Sequence, residues 1–485
     1  MSNKRKRNGA TAPAAPCRVA LVSLGCPKNL VDSEKMMATL AEGGCLVGAP
    51  MDEADVVVVN TCGFLAAARD ESLEAIRQAV GQKAVAARRV VVAGCLANRD
   101  GEKLFHAVKG IDAVVGVNDR DAILQAVRDT QPFLRITPTA TTKTATNVPV
   151  NTVNKKLPGR RDAVQSTIAH RKSTRVAPSE IVSDAGRFRL TPRHTAYLRI
   201  SEGCSQKCTF CTIPAIRGPF RSKTPEQVLR EARELLADGA VELNIIGQDT
   251  TSYGMDLPGE PTLADLLRRL DALHGARWIR LMYAYPMRFT EELIDTMAAC
   301  KHVVPYVDIP LQHISDPVLR RMGRRTTQAQ TVALLNQLRR RIPSIAIRTT
   351  FIVGFPGETD AHFRELLEFV TTFQFDALGV FEFSPEPGTP AMKLKGRVPA
   401  SVKAQRARQI MLAQRRIALA ANRRQVGRKI QVLVDGVDAA GRCVGRHCGQ
   451  APDIDSLCLL TRPRPAGTIV AATIIGYDGY DLRVE

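Results

Sequence analysis

The chain has 485 residues, 45% of them hydrophobic, and a formal net charge of +20. That length exceeds one ordinary core and predicts about three domains. No apolar run approaches the roughly 20 residues of a membrane-spanning helix, and no apolar stretch follows the basic start MSNKRKRNGATAPAAP. Membrane and secreted classes are thereby excluded, and the expected location is cytoplasmic. Twelve cysteines are too few for a disulfide scaffold. Three of them fall within eight residues, a grouping that points to metal or redox work.

Residues 17–130 form the first expected domain. Arg18–Ser23, Asp55–Asn60 and Arg89–Ala93 read as Val-rich strands, and Ser33–Leu40 and Ala66–Val80 as helices. This alternation predicts a parallel α/β sheet. Residues 131–189 read as a basic flexible linker, because 136–186 is rich in Thr, Pro, Ser and Lys/Arg with few large apolar residues.

Residues 190–427 return to alternation. Strands are predicted at Ala196–Ile200, Val241–Ile246, Trp278–Tyr283, Pro305–Ile309, Ile345–Val353 and Ala377–Phe383, with helices such as Pro225–Ala237 and Ala264–Leu273 between them. Six such units predict a partial (β/α) barrel. A basic helix over 399–426 leads into residues 428–485. There Lys429–Val434, Leu457–Thr461, Thr468–Ile475 and Asp481–Val484 predict a small all-β, OB-like barrel.

The positive charge is local. Residues 1–16 hold four basic residues and no acid, 135–195 hold twelve and three, and 387–434 hold twelve and none. Three basic stretches predict contact with a polyanion such as RNA. The C-terminal tail GYDGYDLRVE, with Tyr477 and Tyr480, is net acidic and makes no evident base-stacking platform.

The strongest motif is Cys204-Ser-Gln-Lys-Cys208-Thr-Phe-Cys211, just after the first predicted barrel strand. A CxxxCxxC loop offers three soft thiolates to a 4Fe–4S cluster and leaves the fourth iron open. An open iron can bind the amine and carboxylate of S-adenosylmethionine. Zinc takes four ligands, and no nearby Cys or His completes a set. The spacing resembles the radical S-adenosylmethionine superfamily.

Cys26, Cys62 and Cys95 are 36 and 33 residues apart. Each stands just past the carboxyl end of a predicted parallel strand, where α/β sheets bind ligands. Gly25, Gly63 and Gly94 adjoin them and would let the backbone approach a cluster. The reading is a second open cluster, one that can hold sulfur.

Over nearly its whole length the chain resembles the radical S-adenosylmethionine methylthiotransferase family, RimO type. The resemblance rests on SLGCPKNLVDSE (Ser23–Glu34), NTCGF (Asn60–Phe64), AGC (Ala93–Cys95) and SEGCSQKCTFCTIPAIRG (Ser201–Gly218). The end of the chain resembles the family's TRAM barrel. Pro27-Lys28-Asn29, RLTPRHTAYLRISEGC and APDID (Ala451–Asp455) are similar to the RimO branch, whereas the transfer-RNA branch more often reads GCQMN at the first of these. The sequence departs from the pattern at Thr195, where an aromatic is expected, at Gln450, where an acid is expected, and in the length of the linker.

The resemblance implies two 4Fe–4S clusters, one on Cys204, Cys208 and Cys211 and one on Cys26, Cys62 and Cys95. It implies cleavage of S-adenosylmethionine, hydrogen abstraction from the β-carbon of an aspartate in ribosomal protein S-twelve, and transfer of sulfur and a methyl group. The implied partners are S-twelve or the small ribosomal subunit, a reductant such as flavodoxin or ferredoxin, and a sulfur donor; no membrane is implied. S-adenosylmethionine should lie at the carboxyl ends of the barrel strands, with Gln248, Asp249, Gly354 and Glu358 as contacts and Gln312 and His313 as further candidates. His313 reads equally as a structural histidine. Cys443, His447, Cys448 and Cys458 fit no ligand spacing and read as ordinary barrel residues. Cys17, Cys45 and Cys300 fit no pattern. Two rival readings are a tRNA adenosine methylthiotransferase and a non-catalytic iron–sulfur RNA-binding protein.

Overall fold

A computed structural model describes residues 16–137 and 183–485. The first sheet has six parallel strands in the order Leu46–Val47, Arg18–Ser23, Val56–Thr61, Arg89–Gly94, Ala113–Gly116, Phe133–Arg135. Its central strands are covered on both faces, as their unbroken valine runs require. Val56, Val58 and Val91 face Met36 and Leu40 of the helix Pro27–Glu42. Val57, Val59, Val90 and Val92 face Ile76 and Ala79 of the helix Ala66–Gly81.

Both ends of the segment expected as a linker (131–189) are built into this core. Phe133–Arg135 is the edge strand of the sheet. The chain returns at Ser183, where the Asp184 amide donates to Glu231 (2.8 Å), Arg187 pairs with Glu34 (3.2 Å) and the Leu190 amide donates to Glu34 (2.9 Å). Charged residues made these stretches read as solvated, yet Asp184 and Arg187 use their charges internally. The middle of the expected linker and the basic start of the chain lie outside the described residues.

The second sheet also has six parallel strands, each hydrogen-bonded to the next in sequence: Thr195–Arg199, Glu242–Ile246, Trp278–Leu281, Val303–Gln312, Ala346–Val353 and Ala377–Glu382. This is the expected open (β/α) barrel. Helices cover its outside. Pro225–Ala237 begins at a capping box between Thr224 and Gln227 and buries Val228, Leu229, Ala232 and Leu235. Leu263–Asp271 begins at another, between Thr262 and Asp265. The basic helix Ala400–Gln425 closes the last strand, with Ile410 in the common core. Among the described residues no helix is long and apolar enough to cross a membrane.

The C-terminal strands Lys429–Val437, Cys443–His447, Cys458–Leu460, Ile469–Asp478 and Asp481–Val484 close into a barrel. This small barrel plugs the amino-terminal end of the large one. Arg446 reaches Glu242 (2.8 Å) and Asp435 (2.8 Å), Arg280 shares Glu242 (3.0 Å), and His194 meets Asp435 (3.0 Å). Thr195 belongs to the same network: its hydroxyl donates to Glu242 (3.1 Å) and accepts from Arg446 (3.2 Å). A phenylalanine there could make neither bond. Gln450 likewise uses both ends of an amide, accepting from the His447 amide (3.0 Å) and donating to Ser456 (3.0 Å). A carboxylate lacks that donor.

The turn after Gln450 enters the lumen. Tyr197 donates its hydroxyl to Asp453 (2.9 Å), Tyr306 donates to Asp455 (2.8 Å), and Arg348 bridges Asp455 (3.3 Å) and Asp308 (3.0 Å). The APDID segment is thus a polar stopper inside the barrel.

Candidate active site

The opposite, carboxyl end of the barrel is open to the first domain, and the two cysteine sets meet there. Cys26 stands at the N-cap of Pro27–Glu42, with Pro27 at the first helical position, where a missing amide hydrogen costs nothing. Cys62 follows Val56–Thr61; its amide and carbonyl are both bonded by the Ser72 hydroxyl (3.0 and 2.9 Å). Cys95 opens the short helix Cys95–Asp100. The three loops pack on one another. A Cβ at Gly25 would stand 2.9 Å from Cys62 Cβ, and one at Gly63 would stand 2.9 Å from the Leu96 backbone. These glycines let loop meet loop.

The other set is held by backbone. The Cys204 amide donates to the Gly218 carbonyl (3.1 Å), Cys211 to Cys208 (3.2 Å), and Thr209 to Met322 (2.9 Å). Arg324 lies 3.9 Å from Cys208 Sγ, stacked on the Tyr285 ring at 4.3 Å.

The link between the sets is the stretch that follows Cys211. It packs Ile216 against Cys95, and the Ile216 carbonyl accepts from Asn98 (2.8 Å). Arg217 then turns inward, 1% exposed, to donate to Asp32 (3.1 Å) and to both oxygens of Glu202 (3.1 Å each). Beyond them lies a buried ionic lattice. Arg199 donates to Asp32 (2.7 Å), Glu202 (2.8 Å) and Asp184 (2.6 Å); Lys223 joins Asp184 (2.7 Å) to Glu231 (2.5 Å). Burial alone would raise these carboxyls. Arg217 and Arg199 nonetheless hold Glu202 down at about 2, and Arg199, Lys223 and Arg120 hold Asp184 well below the usual range. On the far rim, Glu386 accepts from Arg99 (2.9 Å) and from the Ala66 amide (2.9 Å), closing the last barrel loop onto the Cys62 loop.

The thiols respond to this setting. Burial pushes Cys95, Cys204 and Cys211 up to about 12, and raises Cys62. Cys26 is also buried, but Lys28, Arg217 and two backbone amides bring it below its ordinary value. A bound metal deprotonates such a thiol outright. Among the described residues no three His, Cys, Asp or Glu side chains converge as ligands of one metal ion. A 4Fe–4S cluster asks for something else, since each thiolate binds a different iron and the sulfurs stand apart by the width of the cluster. One set of three cysteines on three neighbouring loops and one on a single short loop fit that requirement.

The barrel mouth is also rich in polar atoms without partners. Ser201 Oγ, both side-chain polar atoms of Asn244, Gln248 Oε1, His313 Nε2 and Ser315 Oγ are buried and unbonded. They lie on or just after the first, second and fourth strands. Such orphans are costly unless a ligand answers them, so the mouth fits a polar cofactor. The four cofactor contacts expected from sequence divide. Gln248 donates to Glu202 (2.9 Å) and leaves its Oε1 free. Asp249 is absorbed by Gln206 (2.9 Å) and the Ser252 hydroxyl (2.7 Å). Glu358 takes the Gly354 amide (2.8 Å) and Arg406 (2.7 Å), and the Lys403 side chain lies against Gly354. His313 accepts the Ser315 amide on Nδ1 (3.0 Å), with Nε2 3.6 Å from Glu358. Gln312 has a left-handed backbone, φ +73°, at the end of its strand.

Sequence reasoning assigned no role to Arg217, Arg324 or Glu386. Arg217 had a local signal, six residues beyond Cys211 in a stretch already singled out. The other two come from distant loops, and only the fold brings them near.

Fold and site together define a radical S-adenosylmethionine enzyme. The radical SAM superfamily model matches residues 198–370, the TRAM domain matches 426–485, and the Uncharacterized protein family UPF0004 matches 18–116. A solved structure of the radical S-adenosylmethionine methyltransferase TsrM from Kitasatospora setae shares the fold, with TM-score 0.50 and 17% identity over 78% of this chain and 74% of that one. The particular family comes from closer relatives. The ribosomal protein uS12 methylthiotransferase RimO of Geobacter sulfurreducens is 40% identical over 96% of this chain and 98% of its own length. That of Moorella thermoacetica is 41% identical over 96% and 99%. The chain belongs to the RimO methylthiotransferase family.

Proposed function

We propose that this chain methylthiolates the β-carbon of an aspartate in ribosomal protein uS12. The observation that carries the reading is the meeting of two three-cysteine sets at one barrel mouth, joined by Cys211–Arg217. Cys204, Cys208 and Cys211 would hold one 4Fe–4S cluster, and Cys26, Cys62 and Cys95 the other. Bound there, the clusters and S-adenosylmethionine supply the carbon radical, the sulfur and the methyl group.

The chain's own residues bind, orient and exclude water. Gln248, Asn244, Ser201 and Ser315 would answer the polar groups of S-adenosylmethionine. Asp249 and Glu358 would serve as positioning residues, fixing the loops after the second and fifth strands; the loop at Gly354 would present backbone. Arg217 and Arg324 place positive charge beside the two sets, which balances the negative charge of a thiolate-bound cluster. The APDID stopper closes the lumen from below, so a radical formed above it is shielded from solvent.

The working units are a cluster domain over 17–130, a barrel over 190–427 and a TRAM domain over 428–485. The basic helix Ala400–Gln425 is the face for ribosomal RNA, and a flavodoxin- or ferredoxin-like reductant and a sulfur donor complete the partners. The test is the intact mass of uS12 from cells with and without this chain. A methylthio increment that vanishes with the chain is expected. An unchanged uS12 would move the substrate to transfer RNA.

A further inference from the structure

We propose that Lys28 is the receptor for the carboxylate of the substrate side chain. The inference rests on the function proposed above and adds the residue that selects an acidic target. Lys28 lies in the first turn of Pro27–Glu42, just after Cys26, and is only 7% exposed. Its ammonium lies over the Tyr283 ring, 3.2 Å from the ring centre.

Tyr283 lies two residues past the third barrel strand with a left-handed φ of +57°, which an aromatic residue rarely adopts. The barrel holds it there. Its amide faces Asp308 (3.4 Å), and its carbonyl accepts from the Thr250 amide (3.1 Å). The ring is therefore a fixed platform in the lumen, and Lys28 descends onto it from the cluster domain.

A carboxylate is missing from this arrangement. Among the described residues Lys28 Nζ has no hydrogen bond and no ion pair with a carboxylate; its neighbours are the Tyr283 ring and the Cys26 thiol, whose charge favours the ammonium. The nearby carboxylates are committed, Asp308 to Arg348 (3.0 Å) and Glu202 to Arg199 (2.8 Å) and Arg217 (3.1 Å). Arg199, Arg217, Arg280 and Arg348 are each paired with a carboxylate, and Lys28 is not. A buried cation is stable only when paired.

An aspartate side chain would complete it. The carboxylate carbon is bonded directly to the β-carbon, so anchoring the one fixes the other to within a bond length, beside the Cys26 set. That is orientation of a reacting C–H bond by binding energy. A neutral adenine offers the ammonium ring-nitrogen acceptors but no opposite charge, so the same contact favours an acidic substrate.

The test uses the full chain with both clusters reconstituted anaerobically, and uS12 with its target aspartate either native or changed to Asn. Iron content, cluster spectra and the Kd for uS12 are measured for wild type, Lys28→Met and Lys28→Arg. Lys28→Met should keep its iron and spectra and bind native uS12 at least about tenfold more weakly. The aspartate-to-asparagine change should weaken wild type similarly yet leave Lys28→Met little affected, because the two changes remove one shared contact. Lys28→Arg should recover part of the affinity. Native binding by Lys28→Met, or penalties that add, would overturn the inference while leaving the function standing. A wild-type chain that neither binds nor modifies uS12 would overturn both.

Discussion

Arg217 donates to Asp32 on the helix after Cys26 and to Glu202 on the strand before Cys204. One buried guanidinium thereby fixes the distance between the two cysteine sets. Removing it leaves two buried carboxylates short of a partner, though Arg199 still reaches both. Arg217→Met should cost about 3 kcal/mol, the lower end for a broken buried pair. Arg217→Lys should cost less. Denaturant unfolding of the two variants beside wild type measures this, and a loss within about 0.5 kcal/mol, the usual scatter of a surface change, would show the lattice to be self-sufficient.

The two sets should separate by function when mutated. Cys208→Ala should abolish formation of 5′-deoxyadenosine, since it removes a ligand from the barrel loop. Cys62→Ala should leave that product and lose methylthio transfer to uS12. Chromatography of the nucleoside and mass measurement of uS12 read the two outcomes independently. Retained transfer in Cys62→Ala would show that the first domain is not the sulfur site.

Much of this architecture is legible in the sequence because the chemistry is local. CxxxCxxC is one short loop, and the strand-then-cysteine pattern of Cys26, Cys62 and Cys95 follows from parallel sheets presenting ligands at their carboxyl ends. The elements that escaped are those whose polarity is satisfied at long range. Cys443–His447 is absent from the predicted barrel strands; its Arg446 is 2% exposed and neutralised by Glu242, about 200 residues away in sequence. Asp184 fell inside an apparent linker for the same reason: composition reports charge, and only the fold reports its partner. Lys28 was visible as part of a branch motif, while its place over Tyr283 was not, because the two residues are some 250 positions apart.

The APDID stopper makes its own prediction. Asp455 accepts the Tyr306 hydroxyl and pairs with Arg348. Asp455→Ala leaves that buried hydroxyl unbonded and should cost about 1–3 kcal/mol. Asp455→Asn, which can still accept from Tyr306, should cost less. If both unfold like wild type, water fills the lumen and the stopper does not seal it.

His447 gives the C-terminal barrel a pH dependence. Burial and the nearby Arg280 lower its pKa to about 4, and Nδ1 already accepts the Gly449 amide at 3.0 Å. The folded chain therefore keeps the ring neutral while the unfolded chain protonates it below its ordinary value of about 6.5. Between those two values the unfolded state binds more protons, so stability rises with pH and falls on acidification. The contribution is fully present above about pH 6.5 and is lost as pH falls toward 4. Going from pH 7 to pH 5 should cost about 2 kcal/mol through this residue, at about 1.4 kcal/mol per pH unit below 6.5. His447→Gln should flatten that part of the profile. Thermal unfolding at the two pH values, in wild type and variant, gives the difference; equal losses in both would assign the acid sensitivity to other groups.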